Sequence, residues 1–356
     1  MPADRYTSDA HCARERDMLF GGMRAGRWSG TPRMIAASSQ VAPGSCMPVD
    51  VAGTSIILAR NAQGELSAMA NACRHRASRL LNESCAAKAL TCPYHGWTYD
   101  LSGKLMHVPH GESFIADDRR DLIKMPVAER HGMIWLGSDI ARHMGGLDAD
   151  FAAIKMDQSV LWKSHRAELK CNWKLVIEAF LDGYHFRMLH RDTIYKFFLD
   201  ATAIGESVDQ HVRACTARRP LRDAPADLST VAELRNLGTP SYILFPGTIV
   251  VMHPDFTSIV VLHPLSASKT DYEHFMLVPQ DRVGEAEHWD KSWKLIEEVL
   301  FQKEDLWACE QVQQGLAAGT TDALLFGELE TAVRLFHNVL DERMAQTASL
   351  ANLRAV

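Results

Sequence analysis

Cys73, His75, Cys92 and His95 are the residues of this sequence best placed to do chemistry. They arrive as two tight pairs, Cys73-Arg74-His75 and Cys92-Pro93-Tyr94-His95, separated by one excursion of the chain. Two loops that each bring one thiolate and one imidazole can grip a single metal centre from two sides. Zinc accepts such a donor set, and so does a [2Fe–2S] cluster in which two His replace two Cys on one iron. Three details favour the cluster. The first pair is spaced more tightly than the usual zinc knuckle, the second sits in Cys-Pro-Tyr-His-Gly-Trp, and strand-like segments flank both loops.

A second constellation is Asp182-x-x-His185-x-x-x-x-His190. Two neutral His and a more distant carboxylate make the facial triad of non-haem Fe(II) oxygenases, which leaves positions open for dioxygen and substrate. Asp182 and His185 are three apart and are expected on one helix face. His185 and His190 stand about 140° apart on an ideal helix, so a shared iron requires a break or bulge, which Gly183 could assist. The third ligand must come from a later helix that offers Glu297, Glu298, Glu304 and Asp305. Asp305 shares a helical face with Cys309, Val312 and Leu316, and Glu304 shares one with Leu300, Trp307 and Gln311. Both faces are partly apolar, so periodicity alone does not choose between them.

The elements that must position these groups fall into two regions. Short β segments are expected at Met34–Ala37, Ser55–Arg60, Glu65–Ala70, Lys124–Val127 and Met133–Leu136, making residues 29–145 a small all-β domain with its metal in two loops. Residues 1–28 are expected to form a helical lead-in that belongs with 146–356. That second region reads as α+β: a helix over 172–180, strands near 242–252, 258–262 and 274–278, a long helix over 288–315 and a last helix over 322–344, giving an antiparallel sheet with flanking helices. Residues 138–165 read as a connector. Tyr184 is expected to pack in the core, His253 and His263 to cap loops, and Trp97 and Tyr94 to cover the cluster. The apolar runs Ile243–Val251 and Ile259–Leu262 suggest a largely apolar pocket and hence an aromatic substrate, and core packing explains them equally well.

Composition narrows the function classes. The net charge of −6 argues against a nucleic-acid partner. No apolar run reaches transmembrane length, and the charged N-terminus does not read as a secretory signal, so a cytoplasmic protein without a membrane partner is expected. Cys12, Cys46, Cys85, Cys171, Cys215 and Cys309 are expected to be reduced, partly buried thiols.

The string Cys-x-His…Cys-x-x-His-Gly-Trp, followed by Asn172-Trp173-Lys174, Phe180, Asp182, Tyr184, His185 and His190, resembles the alpha subunits of ring-hydroxylating Rieske non-haem iron oxygenases. The resemblance covers most of the chain, including the tail Leu324–Glu330 with Phe336-His337. It implies a Rieske [2Fe–2S] cluster on Cys73, His75, Cys92 and His95, and a mononuclear Fe(II) on His185, His190 and Asp305, since the family often carries a Glu-Asp pair whose Asp is the ligand. It gives Asp182 a catalytic role, holding His185 and reaching a cluster His of the neighbouring subunit, by position His95, within a homotrimer. The activity implied is that of a terminal oxygenase. It would use O2 and electrons from NAD(P)H, delivered by a separate reductase or ferredoxin, to hydroxylate or demethylate a small organic, aromatic molecule, as in aromatic hydrocarbon catabolism. The alternative is a Rieske electron-transfer protein without oxygenase activity. Respiratory forms carry an extra Cys in each loop, where this sequence has Ser78 and Tyr94, and a ferredoxin would lack the Asp182–His190 motif.

Overall fold

The structure is a computed structural model and describes residues 1–24, 27–51, 53–114, 120–224 and 231–354. The chain divides into two compact units, Gly21–His143 and Met1–Phe20 with Met144–Val356.

The smaller unit is built from short antiparallel strands. A five-stranded sheet takes the order Lys124–Met125, Leu66–Ala70, Thr54–Arg60, Ser45–Val51, Cys85–Ala86. A three-stranded sheet joins Val127–Arg130, Met133–Leu136 and Arg33–Ala37, and another joins Leu105–His107, Thr98–Asp100 and Ala89–Thr91. Ile57, Ala59, Met69, Leu90, Trp97 and Tyr99 form an apolar cluster that also encloses the Cys73 and Cys92 side chains. The sulfurs are thus set in the core while the loops that carry them remain at its edge.

The larger unit centres on a seven-stranded antiparallel sheet in the order Ser159–Leu169, Lys269–Pro279, Thr257–Ser266, Thr248–Met252, Gly238–Leu244, His211–Arg218, Phe198–Val208. Gly238–Leu244 and Thr248–Met252 are buried at every position, as apolar β-branched strands covered on both faces should be. Of the seven strands, Ser159–Leu169 overlaps the stretch read as a connector, and Phe198–Val208 and His211–Arg218 were not anticipated. The first two are edge strands whose outward residues meet solvent, so their apolar signal is diluted. His263 lies inside the strand Thr257–Ser266, edge-on to Phe20, rather than capping a loop.

The helix Trp173–Leu181 packs against this sheet, with Asn172 as its N-cap accepting from Lys174 N–H. The long helical rod spans Ala286–Trp293, a π-helical stretch Lys294–Asp305, and Leu306–Ala317. The last helix begins at Thr331, later than expected, because a short 3-10 turn at Glu328–Glu330 precedes it. The lead-in helix Asp9–Glu15 anchors the N-terminus. Its Glu15, fully buried, accepts from Lys174 Nζ at 2.8 Å and from Trp173 Nε1 at 2.9 Å. This clamps the N-terminus to the start of the helix that leads to Asp182. Among the described residues no helix is long and apolar enough to cross a membrane.

Candidate metal centres

In the smaller unit both loops fold back tightly on their cysteines. Ala77 N–H donates to Cys73 O and Gly96 N–H to Cys92 O, and Gly96 takes φ +73°, which a glycine adopts without strain. Cys73 and Cys92 are buried, whereas His75 is half-buried and His95 exposed. The His75 and His95 Nδ1 atoms face each other at 3.1 Å. Two inward sulfurs and two outward imidazoles are what a cluster with an inner sulfur-bound iron and an outer nitrogen-bound iron requires. Tyr99 Oη lies 3.4 Å from Cys73 Sγ and accepts from Arg74 N–H. Burial pushes the Cys92 thiol up, but the backbone N–H groups of Tyr94 and His95 bring it below its ordinary value. Trp97 stacks on His75 at 5.1 Å and 7°, and Tyr94, largely exposed, lies against His95.

In the larger unit His185, His190 and Asp305 converge. The helix Trp173–Leu181 ends at Asp182, whose backbone is already extended. Asp182 therefore does not share a helix face with His185, as the spacing suggested. It reaches back through a turn, accepting from Tyr184 N–H with Oδ1 and from His185 Nδ1–H with Oδ2 at 3.1 Å. His185 and His190 then bracket the short helix Phe186–Leu189, so the break lies upstream of His185 as well as at His190. Tyr184 is exposed rather than in the core.

The four acidic candidates separate cleanly. Glu297 is buried and binds His165, His274 and Tyr272, and Glu298 is exposed. Glu304 accepts from His190 Nδ1–H at 2.8 Å and from Thr193 Oγ1 at 2.9 Å. Asp305, at the C-terminal end of the π-helical stretch, sets Oδ1 3.0 Å from His190 Nε2 and 3.4 Å from His185 Nε2. The two Nε2 atoms are 3.1 Å apart.

With each Nδ1 proton given to a carboxylate, both Nε2 atoms of neutral rings carry lone pairs toward each other. Asp305 Oδ1 is buried and has no hydrogen-bond partner. Three lone-pair donors facing one point repel unless a cation lies between them. Ligands about 2.1 Å from one ion and at right angles stand about 3 Å apart, which these distances match. The residues thus fit a mononuclear metal with one open side. Without a cation a proton takes its place: burial pushes the His185 pKa down, yet Asp182 and Asp305 raise it to about 9, and a metal would displace that proton.

The triad forms part of the wall of a cavity of about 180 Å³, far more than one water requires. Its aromatic lining comes from Phe180, Phe186, Phe197, Phe198, Phe256 and Phe301. Of the apolar strand runs only Val251 reaches it; the others fill the core. His253, in the loop that follows Thr248–Met252 as expected, lines the cavity too and is hydrogen-bonded to Ser258. Arg218 carries little signal in the sequence, being one of four Arg between positions 213 and 222, and Glu304, a candidate ligand there, is instead the partner of His190 Nδ1.

A family model for the ring hydroxylating alpha subunit catalytic domain matches residues 156–346, and one for the Rieske [2Fe–2S] domain matches 31–124. The chain belongs to the ring-hydroxylating alpha-subunit family. It is an oxidoreductase of the Rieske oxygenase type rather than a simple electron carrier, and it carries the domains that hold a Rieske cluster and a mononuclear iron. Its relatives include the 2-halobenzoate 1,2-dioxygenase large subunit of Burkholderia cepacia, 29% identical over 307 residues, 70% of this chain and 64% of the relative. The chain therefore matches less than two thirds of that relative's length. The carnitine monooxygenase oxygenase subunit of Escherichia coli K12 is 25% identical, covering 96% of this chain and 92% of its own. In fold, the chain is similar to a quaternary ammonium Rieske monooxygenase in complex with an inhibitor (TM-score 0.79, 18% identity, 96% and 94% covered). It is also similar to naphthalene 1,2-dioxygenase from Rhodococcus sp. (TM-score 0.77, 21% identity, 97% and 94% covered).

Proposed function

We propose that this chain is the terminal oxygenase of a system in which a separate reductase or ferredoxin supplies electrons from NAD(P)H and O2 is the co-substrate, the target being a small aromatic molecule. Cys73, Cys92, His75 and His95 would hold the cluster, and His185, His190 and Asp305 the mononuclear iron. When bound, the two centres supply electron transfer and dioxygen activation respectively. The observation that carries the reading is the unpartnered Asp305 Oδ1 facing two imidazole Nε2 atoms at the wall of an aromatic cavity. An electron carrier needs neither the triad nor the cavity.

The chain's own residues set the stage for that chemistry. Asp182 and Glu304 hold the Nδ1 protons, which keeps both imidazoles in one tautomer and raises their basicity. The aromatic walls exclude water and orient a flat substrate beside the triad. Relatives are named for a halobenzoate, choline and carnitine, and for mono- and dioxygenation alike, so the substrate is decided by this chain's own cavity.

A homotrimer, in which Asp182 would face the neighbouring subunit's cluster, is supported by exposed apolar side chains around the motif. Met188 and Leu325 are 76% and 90% exposed, and a cavity of about 450 Å³ is lined by Asp182, His185, Asp305 and Leu325. The oxygenase reading is tested by oxygen uptake with NADH and a surrogate reductase across a panel of aromatic compounds. Uptake that depends on both donor and compound supports it. Cluster reduction without compound-dependent uptake on any member contradicts it.

A further inference from the structure

Arg218 closes the strand His211–Arg218 and lines the same cavity as His185, His190 and Asp305. Thr216 on its own strand and Thr239 and Ser241 on the next give the sheet side of the cavity a polar floor. The Arg218 guanidinium is half-buried. It lies over the faces of Phe198 at 5.1 Å and Phe197 at 5.8 Å, and its Nη1 donates to Thr239 Oγ1 at 3.4 Å, a weak contact.

Among the described residues it has no carboxylate partner. Arg213 is paired with Asp150 and Glu206, Arg166 with Asp271 and Arg282 with Glu285. The neighbouring cation, Arg235, is committed to the carbonyls of His253 and Phe256. Among the described residues Asp305 is the one acidic side chain in the cavity lining, and it faces the imidazoles. Burial lowers the Arg218 pKa with no opposing charge, and His253 is kept neutral by burial, Arg235, His274 and Arg218 itself. Among the described residues the cavity lining therefore has an aromatic body, a metal-type triad and one positive end without a carboxylate partner.

We propose that Arg218 anchors a carboxylate on the substrate, so that this cavity takes small aromatic acids. This deepens the oxygenase reading of the same site and rests on it for the chemistry, not for the binding. A guanidinium fork matches a carboxylate with two parallel N–H···O bonds. A neutral hydrocarbon would leave the half-buried charge unpaired, and a quaternary ammonium would meet it unscreened despite the surrounding rings. Holding the acid end at Arg218 also fixes which part of the ring lies beside the triad.

The test is calorimetric binding, without oxygen or reductant, to protein carrying both its metals. The probes are benzoate, phenylacetate and 2-naphthoate, each with its primary amide, and benzyltrimethylammonium. At least one acid is expected to bind about tenfold or more tightly than its amide. Arg218→Gln should abolish that preference while retaining iron and the amide's affinity, and Arg218→Lys should keep part of it. The proposal is overturned if no acid outbinds its amide in the parent protein, if the ammonium binds best, or if Arg218→Gln keeps the preference. Selective acid binding without acid-dependent oxygen uptake would leave the anchor standing and count against the oxygenase reading. Uptake driven by amides or the ammonium but not by acids would do the reverse.

Discussion

Asp182 and Glu304 act alike on two imidazoles. Each accepts a hydrogen bond from the Nδ1–H of one His and so turns its Nε2 toward Asp305. Asp182 lies in a turn, half-buried, so it can also present an oxygen outward, whereas Glu304 is held by Thr193 as well. Asp182→Asn keeps the size and removes the charge. Both metals should stay bound and turnover should fall about 10–100-fold. Single-turnover kinetics with a pre-reduced cluster measure this, and a parental rate would remove Asp182 from any catalytic role. At this scale Cys73, His75, Cys92, His95, His185 and His190 stood out because they sit in closely spaced pairs, and the contact between Asp182 and His185 was anticipated for the wrong reason. A turn, not a helix face, brings them together. Helix periodicity did not separate Glu304 from Asp305, because adjacent helical positions differ by about 100° and each faced a partly apolar stripe, and the choice of Asp305 rested on the family resemblance.

The elements show where periodicity works and where it fails. The strands Gly238–Leu244 and Thr248–Met252 announced themselves because both faces are buried. The strands Ser159–Leu169 and Phe198–Val208 did not, since edge positions carry polar side chains into solvent and break the alternation. The N-terminal helix carried no readable function either, because its key residue, Glu15, pairs across the chain with Lys174. Removing one partner of a buried ion pair leaves an uncompensated charge. Glu15→Gln should therefore destabilise the larger unit by about 3–5 kcal/mol, and Glu15→Gln with Lys174→Met should recover most of the loss. Thermal unfolding reads both, and a single variant that melts with the parent would show that the clamp contributes little. The same clamp sets the start of the helix that delivers Asp182, so some loss of iron in Glu15→Gln is expected below its melting point.

At the scale of the whole molecule the two sequence motifs fall in separate compact units, and in the proposed trimer the assembly would decide how they cooperate. The exposed apolar side chains at Met188 and Leu325 are expected to be covered by a neighbouring copy. Sedimentation should give a trimer of about three times the 39.7 kDa chain mass, and an active monomer would contradict it. The measurement that bears most directly on the central claim is iron and acid-labile sulfide per chain in the parent, Asp305→Ala and Glu304→Ala. Two centres predict about three irons and two sulfides in the parent. Asp305→Ala should fall to about two irons with the sulfide unchanged, while Glu304→Ala keeps most of its third iron. Zinc without sulfide in the parent, or a third iron lost from Glu304→Ala and kept in Asp305→Ala, would contradict it.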